Sequence, residues 1–293
     1  MATPTLTGAT PEPELLLLAS AGGVASLHLV RLSGDMIPVA LPDPSVAAVV
    51  PIAGGRLLAV VRDGRSFVAT RGRAGLAVPG WRALALGGPG AMPPGAFAWS
   101  AAASPDGSRV AVIARPADAQ APSALVMIAP DRLRREVHLL GDETEGVAPA
   151  WVDPARVAIV QRDRFDRVFL AVVAAADGRI VERVRVRAVG FATSGDGATC
   201  VSLPNDRVVV GPTASVLALG LLPESGPALP AADQLSGGVA LSHDGRLLAL
   251  AVQDGEAGPG RLAIYAWIGG AWQAGPRIAL PAGDSGGQPQ WLP

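Results

Sequence analysis

One short signature recurs along this chain and limits its possible folds more than any other feature. A tight turn is followed at once by an apolar run. Ser104-Pro105-Asp106-Gly107 precedes the run 109–114, Ser242-His243-Asp244-Gly245 precedes 246–251, and Ser194-Gly195-Asp196-Gly197 precedes 198–202. Shorter copies are Ala53-Gly54-Gly55 before 56–61 and Val152-Asp153-Pro154 before 156–160. Ser and Asp side chains bond nearby backbone N–H groups, and Gly accepts a positive φ. Asp106, Gly107, Asp196, Gly197, Asp244 and Gly245 therefore read as structural turn residues between antiparallel strands. The run after each turn does not alternate, which marks a strand buried on both faces.

The anchors fall at Gly55, Gly107, Pro154, Gly197 and Gly245, at spacings of 52, 47, 43 and 48 residues. A four-stranded propeller blade takes about 40–50 residues. A further step of 48 from Gly245 reaches residue 293, the last. The segment 288–293 is similar to 148–153, which enters the third anchor, and the run that should come next stands at 14–20. Two more strand-like segments follow at 26–31 and 36–41. The pattern predicts an all-β fold, a six-bladed β-propeller of four-stranded antiparallel blades. A shared blade closes it, with the C-terminal segment innermost and 14–41 as its other strands. Such closure removes exposed sheet edges. Residues 1–11, rich in Thr and Pro, are expected to form a flexible tail, and 12–293 a single propeller domain. Residues 203–237 have the weakest strand pattern, so an irregular blade is expected there.

Composition removes other classes. At 49% hydrophobic and a net charge of −1, the chain is neither disordered nor basic enough for nucleic acid. All 24 basic residues are Arg, which reads as compositional bias. Cys200 is the sole cysteine, so no disulfide scaffold exists. The longest apolar runs fall well short of the ~18 residues of a membrane span. Leu15–Leu18 lack a preceding cation and are too short for a secretory core. A cytoplasmic location is expected from the absence of a signal in this chain, and an exported one if a signal lies upstream of Met1.

The turn Ser104–Gly107, with partial copies at Ser194–Gly197 and Ser242–Gly245, resembles the TolB/PD40-type (WD40-like) β-propeller repeat. Pro149-Ala150-Trp151 and Pro289-Gln290-Trp291 are similar to the inner strand of that repeat. There is some similarity to the LpqB-type propeller domain. The resemblance implies the fold and no single function.

Chemistry is sparse. The three histidines, His28, His138 and His243, lie in different repeats without ligand spacing. Cys200 sits mid-strand and reads as an inert buried thiol. No cofactor or metal site follows from the sequence. In a propeller, the loops between second and third strands share a face with the loops that enter the next inner strand. On that face fall Arg62, Asp63 and Arg65, the acidic Asp142, Glu143 and Glu145, and the cluster Arg162, Asp163, Arg164, Phe165, Asp166 and Arg167. These are the candidate binding residues. Charges confined to a hairpin tip also pair with one another, at about 0–1 kcal/mol each. The long segments 87–96 and 221–238 are candidate lids or docking loops, a role that exposure of Met92 and Leu235 would favour. The expected function is a non-catalytic binding or scaffold propeller, monomeric, with protein partners on the channel-mouth face. The alternatives are a propeller hydrolase or lactonase with channel carboxylates, and an envelope-associated accessory protein.

Overall fold

A strand that is apolar along its whole length needs cover on both faces, and six sheets arranged around one axis supply it. The computed structural model describes residues 13–21, 24–70, 80–88, 92, 94–117, 123–140, 143–144, 149–163, 165, 167–186, 188–197, 199–204, 207–219, 226–230, 233–254, 259–280 and 288–292. The tail expected over 1–11 lies outside them. The first sheet takes β1 (Glu14–Ala21), β2 (Val24–Arg31) and β3 (Met36–Val39). The second holds β4 (Val46–Ile52), β5 (Arg56–Val61), β6 (Ser66–Thr70) and β7 (Arg82–Leu84). The third holds β8 (Phe97–Ala103), β9 (Val110–Arg115), β10 (Ala124–Ala129) and β11 (Arg134–Leu139). The fourth contains β12 (Glu143–Thr144), β13 (Ala150–Asp153), β14 (Arg156–Arg162), β15 (Val168–Ala174) and β16 (Ile180–Arg185). The fifth contains β17 (Ala188–Thr193), β18 (Thr199–Pro204) and β19 (Val209–Pro212), followed by the helix α1 (Thr213–Leu219). The sixth holds β20 (Asp233–Leu241), β21 (Leu247–Asp254), β22 (Gly260–Ile268) and β23 (Ala271–Ala279).

The ring closes as the repeat predicts. The last strand, β24 (Gln288–Trp291), pairs antiparallel with β1, setting Leu15 opposite Trp291 and Leu18 opposite Gln288. The first sheet thus runs β24-β1-β2-β3, with the C-terminal strand innermost.

The hydrophobic core is divided among the seams between blades. Along β1, Leu16 and Leu18 pack with Val46, Val49 and Leu57 of the second blade, while Leu15 and Leu17 pack with Ala249, Leu262 and Ile264 of the sixth. Along β9, Val110 and Val112 face the second blade, and Ala111 and Ile113 face Val157 and Ile159 of the fourth. Alternate side chains enter alternate seams, so the run itself need not alternate in polarity. Each fully buried Val, Leu or Ile contributes about 1.5–3 kcal/mol, well above an exposed ion pair.

The repeated turns have one geometry. The Ser104 hydroxyl donates to Asp106 Oδ1 at 2.6 Å and accepts from Arg109 N at 3.0 Å. Ser194 makes the same pair of bonds with Asp196 (2.6 Å) and Thr199 N (3.0 Å), and Ser242 with Asp244 (2.6 Å) and Leu247 N (2.8 Å). The serine hydroxyls hold the carboxyls of Asp106 and Asp244 below the usual range. The turns also touch across blades, with Ala53 N donating to Gly107 O at 3.0 Å and Gly195 N to His243 O at 3.0 Å.

The fifth blade departs from four strands, within the region expected to be irregular. Among the described residues it has three strands, and α1 follows where a fourth would stand. Val216 of the helix and Val186, just after β16, join the seam between the fourth and fifth blades. Burial pushes the Cys200 thiol, in β18 before the helix, up to about 12. The segment expected as a loop over 221–238 ends in β20, which begins at Asp233. Met92 and Leu235 are partly buried against blade cores, so neither is an exposed docking residue.

The turns generate a graded prediction. Gly107 and Gly245 have φ of +65° and +70°. A Cβ on Gly107 would overlap the backbone N of Ala53, whereas the nearest atom to one on Gly245 is Thr199 Cβ at 3.6 Å. Gly245→Ala should destabilise by about 1–2 kcal/mol from the left-handed backbone alone. Gly107→Ala should add about 1–3 kcal/mol of overlap. Urea unfolding of both variants checks the order; equal losses would contradict the inter-blade contact at Gly107.

Candidate functional site

The inner strands turn one edge toward the axis, and such an edge presents unpaired backbone groups. Neighbouring side chains cap several of them. Trp151 Nε1 donates to Ala102 O at 3.0 Å, Thr193 Oγ1 to Trp151 O at 2.9 Å, and Trp291 Nε1 to Ala240 O at 3.3 Å. Each bond joins inner strands of adjacent blades. Gln288 Nε2 reaches Trp99 O at 3.4 Å, joining the first blade to the third. The tryptophans of the Pro-x-Trp segments are therefore ring fasteners, as well as part of the wall.

Inside this ring lies a cavity of about 350 Å³. Its walls are residues of the inner strands, chiefly Ala102, Ala103, Ala150, Ala192 and Ala240 with Trp151, Phe191 and Trp291. Its rim is made by the turns, through Gly54, Gly55, Ser104, Asp106, Gly107, Ser194, Gly195 and His243. The cavity thus belongs to the mouth ringed by the Ser-Asp-Gly turns. The charged loops singled out in the sequence lie on the opposite face. Small inner-strand residues such as 101–103 were the available signal; an alanine wall carries no chemistry that draws the eye.

The rim serines and Asp106 are bonded within their own turns. Asp106 also accepts from Ser108 N at 3.1 Å and Ser108 Oγ at 2.9 Å. The His243 ring packs on Gly195, where a Cβ would overlap it. Among the described residues, no three His, Cys, Asp or Glu gather closely enough to hold a metal ion.

The charged loops are built as two separate tips, each held by ion pairs. In the second blade, Arg65 Nε donates to Asp63 Oδ2 at 2.6 Å and Nη2 to Asp43 Oδ2 at 2.8 Å. Arg62 holds this loop to the third blade, its carbonyl accepting from Ala98 N at 2.8 Å. In the fourth blade, Asp163 accepts from Phe165 N (2.9 Å), Arg167 N (3.0 Å) and Arg167 Nε (2.8 Å). The Arg167 guanidinium, ahead of those backbone bonds, pulls the Asp163 carboxyl down to about 2. Phe165 is 62% exposed, with the Arg167 guanidinium 5.2 Å from its ring centre. Arg162 closes β14 and stands opposite Glu143 of β12 in register. Asp142, Glu145, Arg164 and Asp166 lie outside the described residues.

Known proteins share this architecture. A crystal structure of TolB from Acinetobacter baumannii aligns over 95% of this chain and 66% of its own, with TM-score 0.58 and 14% identity. The chain therefore spans about two thirds of the length of that TolB. A luciferin-regenerating enzyme aligns over 93% of this chain and 89% of its own, with TM-score 0.57 and 13% identity. The WD40 domain of Toxoplasma gondii coronin aligns over 91% and 68%, with TM-score 0.51 and 11% identity. At such identities the likeness is one of fold: the chain is a six-bladed propeller of TolB-like and WD40-like build. No family model and no curated protein matches the sequence.

The Asp163 loop yields a pH prediction. Its carboxyl titrates lower in the folded chain than the ordinary 3.8. Its stabilisation is thus complete above that ordinary value and is lost as pH falls through about 2. NMR titration of the Asp163 side chain should give a midpoint near 2, and Arg167→Gln should move it toward 3.8. An unchanged midpoint in the variant would remove Arg167 as the cause.

Proposed function

We propose that this protein is a non-catalytic binding propeller that recognises a partner at the turn-side mouth of its channel. The observation that carries this is the 350 Å³ cavity walled by alanine and aromatic residues, with its indole donors already engaged in the ring. That volume is within the range of small-ligand sites, roughly 300–1,000 Å³. Alanine and aromatic side chains beside strand-edge backbone groups, Thr193 and Gln290 suit a mixed polar and apolar group, such as a side chain of a protein partner. The rim carboxylate argues in the same direction. Ser104 lowers Asp106, and a carboxylate held below its usual range is a poor proton acceptor near neutral pH. The fold does not choose by itself, since an enzyme and a WD40 domain both share it.

The loop face opposite supports a second contact surface through Phe165, which stands exposed at a tip whose ion pair is already closed. There Arg62, Asp63, Arg65, Arg162, Asp163 and Arg167 would frame a protein partner.

Two substitutions separate the faces. Gln290 lines the cavity, and Gln290→Trp should occupy it; Phe165→Ala removes the exposed ring. Partners co-purified with the wild type should be lost at least tenfold with Gln290→Trp at unchanged fold. Loss with Phe165→Ala alone would move recognition to the loop face. Substrate turnover abolished by Gln290→Trp would overturn the non-catalytic reading.

A further inference from the structure

The repeat places an arginine at or near the exit of several turns, and its fate differs from blade to blade. Arg56 donates from Nε to Ala53 O at 2.9 Å and from Nη1 to Asp131 at 2.7 Å. Arg156 meets Asp153 at 2.7 Å. Arg109 in the third blade has no such carboxylate. It lines a separate cavity of about 190 Å³ between the third and fourth blades, on the turn side, together with Arg132 and Arg134.

The charge in this cavity is unbalanced. Glu136 is the one carboxylate lining it, and Arg134 Nη2 already holds Glu136 Oε1 at 2.7 Å. His138 Nε2 lies 3.9 Å from the other oxygen of Glu136. Among the described residues, no hydrogen bond or ion pair joins the side chain of Arg109 or Arg132 to any partner. The rest of the wall is apolar: Met127, Ile128, Ala129, Ala175 and Ala176. Guanidiniums beside an apolar surface interact more strongly with an anion than they would in open water.

The cavity is also rigidly framed. Leu133, between Arg132 and Arg134, has φ +48°, the one positive φ outside glycine among the described residues. Backbone strain of this kind persists only where the surroundings impose it. Here Gly87 brackets the residue, accepting from Arg135 N at 2.7 Å and donating to Leu133 O at 2.8 Å. The Arg56–Asp131 ion pair fixes the start of the same turn. On the facing wall, Ala175 N donates to Ala155 O at 2.8 Å, and Gly178 sits against the His138 ring so closely that a Cβ would overlap it.

We propose that this inter-blade cavity is a binding site for a phosphate-sized oxyanion, held by Arg109 and Arg132 with Arg134 at its edge. It is independent of the central cavity and goes beyond the binding role assigned there. Planar guanidiniums match the paired oxygens of phosphate and sulfate, and the volume admits such a group with few further atoms. A free ion and the phosphomonoester of a small metabolite share this chemistry.

The test is thermal unfolding of the full chain in rising sodium phosphate, with ionic strength held constant by sodium chloride. The melting temperature of the wild type should rise and saturate. Arg109→Gln with Arg132→Gln should lose the rise, and Arg82→Gln, on an outer strand away from the cavity, should keep it. Ala176→Glu, which places a carboxylate in the wall, should abolish the response while the protein stays folded. Glycerol phosphate in place of phosphate separates the sources: a larger rise assigns the ester, an equal rise the free ion. The absence of a saturable rise over chloride would overturn the proposal, and so would a rise that survives the double substitution.

Discussion

Every blade of this protein has two apolar faces, and that single constraint organises the rest. A sheet buried on one side can stop at its edge. A sheet buried on both sides needs a neighbour to the left and to the right, and only a closed ring gives each of the six that neighbour. Leu15 to Leu18 show the consequence at four successive residues, two entering the seam with the sixth blade and two the seam with the second. The chain ends therefore have to meet, and β24 completes the blade that β1 begins.

Closure also sets the chemistry at the axis. With the apolar mass placed in the seams, the centre is left to strand edges and small residues. Four of the carbonyls there, of Ala102, Trp151, Ala240 and Trp99, are met by Trp151, Thr193, Trp291 and Gln288 from other blades. What remains is a cavity walled by alanine, aromatic side chains and strand-edge backbone, with a rim of turns. The charged tips on the other face, by contrast, are held by ion pairs, Arg167 with Asp163 in one and Arg65 with Asp63 and Asp43 in the other.

The fold was legible because its determinants are local and repeated. Ser, Asp and Gly at fixed offsets mark one hydrogen-bonded turn, and the turn fixes where each second strand starts. Terminal closure could be read from one similarity, that of 288–293 to 148–153. The helix α1 was not legible, since seven residues are too few to show a helical stripe. The cavity was missed for a different reason. Charged residues such as Arg62–Arg65 and 162–167 announce themselves in a sequence, and alanines do not. The central wall is made of Ala102, Ala192 and backbone, which acquire meaning only when six strands converge. The inter-blade cavity joins Arg109, Arg132 and Ala176, whose proximity comes from the packing of two blades and from no spacing in the chain.

The ring itself can be tested by removing its fastening. Deleting residues 286–293 takes away β24, its pairing with β1 and the Trp291 bond to Ala240. Differential scanning calorimetry of the shortened and full chains measures the effect directly. The closed-ring account predicts that the shortened chain loses its single sharp transition or melts at a much lower temperature. One cooperative transition at an unchanged temperature would contradict it.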